Sequence, residues 1–260
     1  FHGFDPQNAL IVMKSQNNQP YLTTEEICDY IEKEKDNIAL LFLGGVNYYT
    51  GQVFDMKTIT EKGHNYGAVV GFDLAHGIGN IPLKLHDWNV DFSAWCSYKY
   101  LNGGPGCLGG IFVHEKHQHK NLPRFNGWWG HNKKTRFDMK NSFDSLSGAE
   151  GWQCSNPPIL PLASLRASME LFQTAGMVSL REKSQHLTGY LSYLLNDLPL
   201  EIITPNSPQE RGCQMSIRFK INGREIFKIL TQKGVVADWR EPDVIRVAPV
   251  PFYNTFHEVW

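Results

Sequence analysis

I-A-L-L-F-L-G-G, residues Ile38 to Gly45, is the stretch that decides the fold. Six apolar residues in a row leave no polar face. A run this short, ended by two glycines, reads as a strand buried on both sides in a parallel sheet. Parallel strands need crossover connections, and helices stand on both sides of the run. Upstream, T-T-E-E (Thr23 to Glu26) is a capping box that opens a helix through Ile27 and Ile31 to about Lys35. Downstream, a second helix from about Asp55 to Asn65 leads to the strand A-V-V-G-F-D, which ends at Asp73. Further strands are predicted over about Phe92 to Ser97 and Gly110 to His114. This alternation defines an α/β class with a mainly parallel sheet and flanking helices.

Residues from about Lys120 to Asn156 are rich in Gly, Asn, Asp and Trp and carry no steady period. A loop of that length in a compact domain is usually functional. Two helices follow, roughly Ile159 to Thr174 and Val178 to Asn196, with Gly176 as the break. The rest reads as strand (Gln214 to Phe219), helix (about Glu225 to Lys233), strand (Val235 to Trp239) and strand (Val244 to Ala248), a small C-terminal α+β domain. The boundary is expected near residue 176, giving a large domain over 1–176 and a small one over 177–260. Both ends read as cut. The first residue is Phe1, and a capping box at Thr255 to Glu258 opens a helix just before Trp260, so an excerpt of a longer chain is expected.

The bulk numbers exclude several classes. The 260 residues are 42% hydrophobic and 20% charged, with a formal net charge of -1. That balance offers no basic face for nucleic acid or an anionic membrane as partner. No apolar run reaches the roughly 18 residues of a membrane span, and no signal peptide is visible. Cys28, Cys96, Cys107, Cys154 and Cys213 are scattered and odd in number, without a CxxC pair, so a reducing cytoplasm is the expected compartment.

Asp73 ends one strand, His76 follows in D-L-A-H, Lys99 follows another strand in C-S-Y-K-Y-L-N-G-G-P-G, and Arg246 lies in I-R-V-A-P. Ligands of parallel-sheet folds gather at the carboxyl ends of strands, which aims Asp73 and Lys99 into one crevice. Singly, each residue is ordinary. Together they meet the needs of pyridoxal phosphate chemistry. A lysine with a depressed pKa tethers the aldehyde as an imine. A buried carboxylate at about 3 to 4 Å keeps the pyridine nitrogen protonated, worth several kcal/mol at low effective dielectric. His76 suits the phenolic oxygen, the small Ala75 leaves room for a flat ring, and Arg246 offers a bidentate partner for a substrate carboxylate.

The stretch from Gly71 to Gly106, G-F-D-L-A-H-G-I-G-N-I-P-L-K-L-H-D-W-N-V-D-F-S-A-W-C-S-Y-K-Y-L-N-G-G-P-G, resembles the cofactor segment of the kynureninase family. So do G-V-N-Y-Y-T-G-Q (Gly45 to Gln52), G-W-W-G-H (Gly127 to His131), S-N-P-P-I (Ser155 to Ile159), E-R-G-C-Q (Glu210 to Gln214) and I-R-V-A-P-V-P (Ile245 to Pro251). These blocks run in the same order from end to end.

The resemblance implies a fold-type-I pyridoxal enzyme, a homodimer with sites at the subunit interface. The reaction it implies is hydrolysis of L-kynurenine or 3-hydroxykynurenine to alanine and anthranilate or its 3-hydroxy form. By position it implies Lys99 on the aldehyde, Asp73 on the ring nitrogen and His76 beside the phenolic oxygen. Tyr98, Tyr49 and Trp128 would hold the phosphate, and Arg246 the substrate carboxylate. Ser155 and Asn156 would shape the aromatic end of the pocket, Asn156 also lying near the cofactor. The family's chemistry has Lys99 moving the Cα proton, water attacking the γ-carbonyl and the Cβ–Cγ bond breaking, with Tyr98 giving or taking a proton. Two features depart from the family. Its N-terminal portion, which packs on the cofactor ring, has no counterpart before Phe1, and Gly44 stands where animal relatives carry serine. The competing readings are another fold-type-I enzyme (a cysteine desulfurase or an aminotransferase) and a catalytically silent binding domain.

Three further signals are set aside. Gly104 to Gly109 spells G-x-G-x-x-G but precedes a strand and contains Pro105, so the dinucleotide context fails. His114, His117 and His119 lack the spacing of H-E-x-x-H, and no metal site is expected. Cys154 has no paired base that would make it a desulfurase nucleophile.

Overall fold

The computed structural model describes residues 3–15, 19–118, 120 and 122–260. A short helix α1 (Pro6–Ala9) precedes α2 (Thr24–Lys33), whose start is fixed by the expected capping box. The Thr23 hydroxyl accepts from the Glu26 amide at 3.1 Å, and the Glu26 carboxylate accepts from the Thr23 amide at 2.9 Å. Strand β1 (Leu40–Gly44) follows, then α3 (Met56–Asn65), capped by Asp55 at the Thr58 amide, and β2 (Val69–Asp73). Strands β3 (Phe92–Cys96) and β4 (Gly109–Val113) complete the first sheet. Its order is β1-β2-β3-β4, with the first two pairings parallel and the third antiparallel.

One face of this sheet is covered. Leu41, Val70 and Phe72 pack with Ile27 and Ile31 of α2 and Ile59 of α3, each nearly inaccessible. Burial of such a side chain stabilises by about 1.5–3 kcal/mol. The other face corrects the sequence reading of β1. Leu40 and Phe42 are about half exposed, and Val69 and Ile111 are exposed as well. The strand is parallel as expected but lies at the sheet's end, with α2 and α3 covering only one of its two apolar faces. On the open face Phe42 stacks on Phe92, with ring centroids 5.8 Å apart. Gly71 lies beneath, where a Cβ would fall 2.4 Å from the Phe92 ring.

The long segment 120 and 122–156 is irregular apart from short 3-10 turns at Trp128–Gly130, Arg136–Asp138 and Gly148–Trp152. Helices α4 (Ile159–Ala175) and α5 (Met177–Leu195) meet at Gly176, whose φ of 76° explains the break. Strands β5 (Glu201–Ile202) and β6 (Met215–Arg218), helix α6 (Gly223–Gln232), and strands β7 (Asp238–Arg240) and β8 (Val244–Val247) follow. Their sheet is antiparallel, in the order β5-β6-β8-β7. Helix α7 (Phe256–Val259) opens on the expected Thr255–Glu258 capping box. The two-residue β5 and four-residue α1 are too short to carry a period, and sequence patterning misses both. Strand β7 is shorter than predicted, with Val236 fully exposed before it.

Side-chain donors fasten the second sheet to the segment 47–52 between β1 and α3. Ser216 Oγ donates to the Tyr49 carbonyl and Thr204 Oγ1 to the Thr50 carbonyl, both at 2.5 Å, while Gln214 Nε2 donates to the Tyr48 carbonyl at 3.0 Å. Gly51 has a φ of +78° and sits where a Cβ would meet the Gln214 carbonyl oxygen at 2.7 Å. The G-V-N-Y-Y-T-G-Q block is therefore the seam between the two sheets, and it brings β8 against the carboxyl ends of β1 and β2.

Candidate active site

A cavity of about 990 Å³ opens at that seam. Asp73 and Lys99 line it, as the strand-end reasoning expects, and so do Ala75, His76 and Arg246. Asp73 closes β2, and its Oδ1 accepts from the Ala75 amide at 2.8 Å, which fixes the carboxylate's orientation. The carboxylate is exposed on the cavity wall, where the sequence reading called for a buried one. The cause is the open face beside β1 and β2, which leaves the strand ends uncovered.

The turn after β2 carries His76, whose carbonyl accepts from Asn80 Nδ2 at 2.9 Å. Asn80 Oδ1 in turn accepts from the Cys213 amide at 2.9 Å, so one side chain ties this turn to the chain entering β6. The imidazole lies beside Tyr100 and Tyr48, with centroids 5.7 and 6.5 Å away. Its Nδ1 is buried and has no hydrogen-bond partner among the described residues. Burial, with the positive charges of Lys99 and Arg246 nearby, pushes its pKa down to about 4. His76 is therefore a neutral imidazole at ordinary pH.

Lys99 sits in the turn after β3, and helix α4 holds that turn from below. Ser164 Oγ donates to the Gly103 carbonyl at 2.8 Å, and Ser168 Oγ, one helical turn later, donates to the Leu101 carbonyl at 2.5 Å. The loop also closes on itself through the Gly103 amide and the Ser97 carbonyl. The lysine is thus half-buried on a backbone clamped at two points.

Arg246 points from β8 into the cavity and is 9% exposed. Its Nη1 donates to the Tyr48 carbonyl at 2.5 Å, its Nη2 pairs with Asp238, and its Nε is buried without a partner among the described residues. Asp238 is the cross-strand neighbour of Arg246 in the β7–β8 pairing.

The other candidates do not reach this cavity. Tyr98 is exposed, and its ring centroid lies 6.0 Å from Lys99 Nζ; the neighbouring Cys96 thiol raises its hydroxyl pKa. Tyr49 contributes its carbonyl to the seam. Trp128 is 45% exposed and makes an edge contact with Phe137. Ser155 and Asn156 are exposed ahead of α4.

Sequence reasoning also missed lining residues. Tyr100 is half-buried on the cavity wall, and desolvation of its hydroxyl holds the pKa well above the usual phenol range. Asn47, Tyr48, Asn102, Gln214, Asp238, Arg240 and Tyr253 also contribute to the polar lining. A signal existed for Asp238: a hairpin turning at E-P-D sets it opposite Arg246.

The signals set aside have local explanations. Gly104 and Gly106 adopt positive φ in the turn before β4. His114 caps a 3-10 turn at the Lys116 amide, and His117 lies 2.6 Å from Asp91; His119 is outside the described residues. Cys154 is an exposed thiol that does not line the cavity. All five cysteines are free. No helix among the described residues is long and apolar enough to cross a membrane.

Solved structures with this fold include an apo cysteine desulfurase from Thermococcus onnurineus NA1. It has a TM-score of 0.75 at 15% identity and covers 93% of this chain and 61% of that one. A C-DES structure with glycine covalently linked to its PLP cofactor gives 0.76 at 19%, covering 93% and 62%. An alanine–glyoxylate aminotransferase from Nostoc sp. gives 0.66 at 21%, covering 92% and 63%. The fold is that of the fold-type-I pyridoxal phosphate enzymes.

Sequence narrows the class. A kynureninase from Myxococcus xanthus is 54% identical over 264 residues, which is all of this chain and 62% of the relative. The Mus musculus kynureninase is 50% identical over 270 residues, all of this chain and 58% of the relative. The Kynureninase C-terminal domain family model matches residues 180–260. The chain is similar to kynureninases along its whole length, and it spans about 60% of the length of these relatives.

Proposed function

We propose that this chain carries the lysine side of a kynureninase active site. The full-length protein then hydrolyses L-kynurenine or 3-hydroxy-L-kynurenine to L-alanine and anthranilate or 3-hydroxyanthranilate. The observation that carries this reading is the convergence of Asp73, His76, Lys99 and Arg246 on one cavity, in a chain half identical to kynureninases.

The side chains suit pyridoxal 5'-phosphate. Lys99 supplies an amine for its aldehyde, Asp73 a carboxylate for its ring nitrogen, and the unpartnered His76 Nδ1 a neutral contact for its phenolic oxygen. When bound, the cofactor supplies an electron sink for cleavage beside the amino acid's Cα. Lys99 moves the Cα proton from a turn that α4 keeps in place, and Arg246 orients the substrate carboxylate. Water adds to the γ-carbonyl, the Cβ–Cγ bond breaks, and one water is consumed for each alanine and anthranilate formed. Tyr98 gives or takes a proton in that sequence.

The phosphate contacts assigned to Tyr49, Tyr98 and Trp128, and the pocket contacts of Ser155 and Asn156, fall outside this cavity. We assign them to a homodimer in which sites form between subunits, and the exposure of Trp128, Ser155 and Asn156 supports that reading. We keep the boundary near residue 176 as the division between a cofactor-binding large domain and a small domain bearing Arg246. The matching cellular setting is cytoplasmic tryptophan catabolism through kynurenine, a route that supplies NAD biosynthesis. Incubating the full-length, cofactor-loaded protein with kynurenine and with cysteine tests the activity. Alanine and anthranilate from kynurenine support it, whereas sulfide from cysteine with no anthranilate from kynurenine overturns it.

A further inference from the structure

We propose that Asp238 is a resident carboxylate that occupies the Arg246 guanidinium in the empty site and yields it to the substrate carboxylate, with Arg240 receiving Asp238. This rests on the reading of Arg246 as the carboxylate-binding residue.

Three observations carry it. The β7–β8 register sets Asp238 directly across from Arg246, and the two side chains are in contact through Nη2 and Oδ2 inside the cavity wall. The same Oδ2 also accepts from Arg240 Nη2 at 2.9 Å, and Arg240 lines the cavity too. Asp238 can therefore leave Arg246 without losing its ion pair. Finally, Arg246 does not depend on Asp238 for its aim, because Nη1 is anchored on the Tyr48 carbonyl at 2.5 Å.

Exposure fits an exchange better than a structural pair. Arg246 is 9% exposed, while Asp238 is 43% exposed on a three-residue strand at the sheet's edge. The guanidinium also keeps a buried Nε without an acceptor among the described residues, so a single resident carboxylate leaves it under-satisfied. An incoming carboxylate competes with Asp238 for one cation, and the resident anion weakens its binding. A ligand that lacks the negative charge meets no such competition.

The test uses the full-length protein with its cofactor and two inhibitors that lack the α-amino group. They are 4-(2-aminophenyl)-4-oxobutanoate and its primary carboxamide. Asp238→Asn is expected to tighten the carboxylate's inhibition constant about tenfold, a change of about 1.4 kcal/mol. The carboxamide's constant stays within about twofold. Arg240→Gln, which removes the alternative partner, weakens the carboxylate severalfold and spares the carboxamide. Asp238→Ser gives the same direction as Asp238→Asn and serves if the latter does not fold. Weaker carboxylate binding by the Asp238 variants, or an equal change for both inhibitors, overturns the proposal. If Arg246→Gln leaves the carboxylate-to-carboxamide preference unchanged, the assignment of Arg246 itself fails, an outcome distinct from failure of the Asp238 exchange.

Discussion

The two ends of the first sheet each hold an aspartate, and they are built in opposite ways. Asp91, just before β3, has a side chain 6% exposed that accepts from the Val70 amide at 2.7 Å. His64 Nε2 stands 2.8 Å away, His117 Nε2 2.6 Å and Lys116 Nζ 2.8 Å. Asp73, at the far end of β2, is exposed on the cavity wall and accepts from the Ala75 amide. Donors from the amide, the lysine and the histidines hold the Asp91 carboxyl well below the usual range although burial opposes them. A carboxylate saturated by the protein's own donors stabilises the fold. One with capacity to spare, facing a cavity beside a lysine and an arginine, is available to a ligand.

Substitutions that separate activity from stability can break this contrast. The largest effect is expected at Lys99. Lys99→Met in the full-length protein should lower kcat by a factor of about 10³ or more, since the amine proposed to move the proton is lost, while the thermal midpoint changes little. Asp91→Ala should do the reverse. Stranding three cationic or histidine partners around a vacated buried site should cost about 3 kcal/mol in denaturant unfolding, with kcat per folded molecule retained. Asp73→Asn comes next, with an activity loss of roughly 10²-fold and a stability change within about 0.5 kcal/mol, because the side chain is exposed. If Asp73→Asn unfolds the protein while Asp91→Ala impairs only turnover, the contrast is inverted.

The smallest expected effects are in pH dependence. The Asp91 carboxyl is depressed in the folded state, so its contribution is fully present above its unfolded pKa near ~3.9 and is lost only as pH falls through its lower folded value. His76 is depressed to about 4 from 6.5, so folding favours its neutral form. Its contribution is complete above pH 6.5 and declines as pH falls toward 4. Imidazole signals followed by NMR should show His76 uncharged at pH 5.5; a His76 midpoint near 6.5 would remove the desolvated environment described for it.

Much of this was legible in the sequence because the signals were local. Capping boxes at Thr23 and Thr255, the Gly176 break and the six-residue apolar run each set an element within a residue or two. The convergence of Asp73 and Lys99 followed from strand ends in a parallel sheet, a rule of topology. What escaped depends on contacts far apart in the chain. That β1 would have an open face follows from how many strands and helices lie beside it. The saturation of Asp91 draws on His64 and His117, 27 and 26 residues away. The Asp238–Arg246 pair needed only the hairpin register, so it was within reach of the sequence and went unread.

Lys99 is the residue on which the functional assignment turns. Borohydride reduction of the full-length, cofactor-loaded protein, followed by mass analysis of its peptides, tests it most directly. A cofactor-sized mass added to the peptide containing Lys99 is the result expected. Label on another lysine, or none at all, contradicts it.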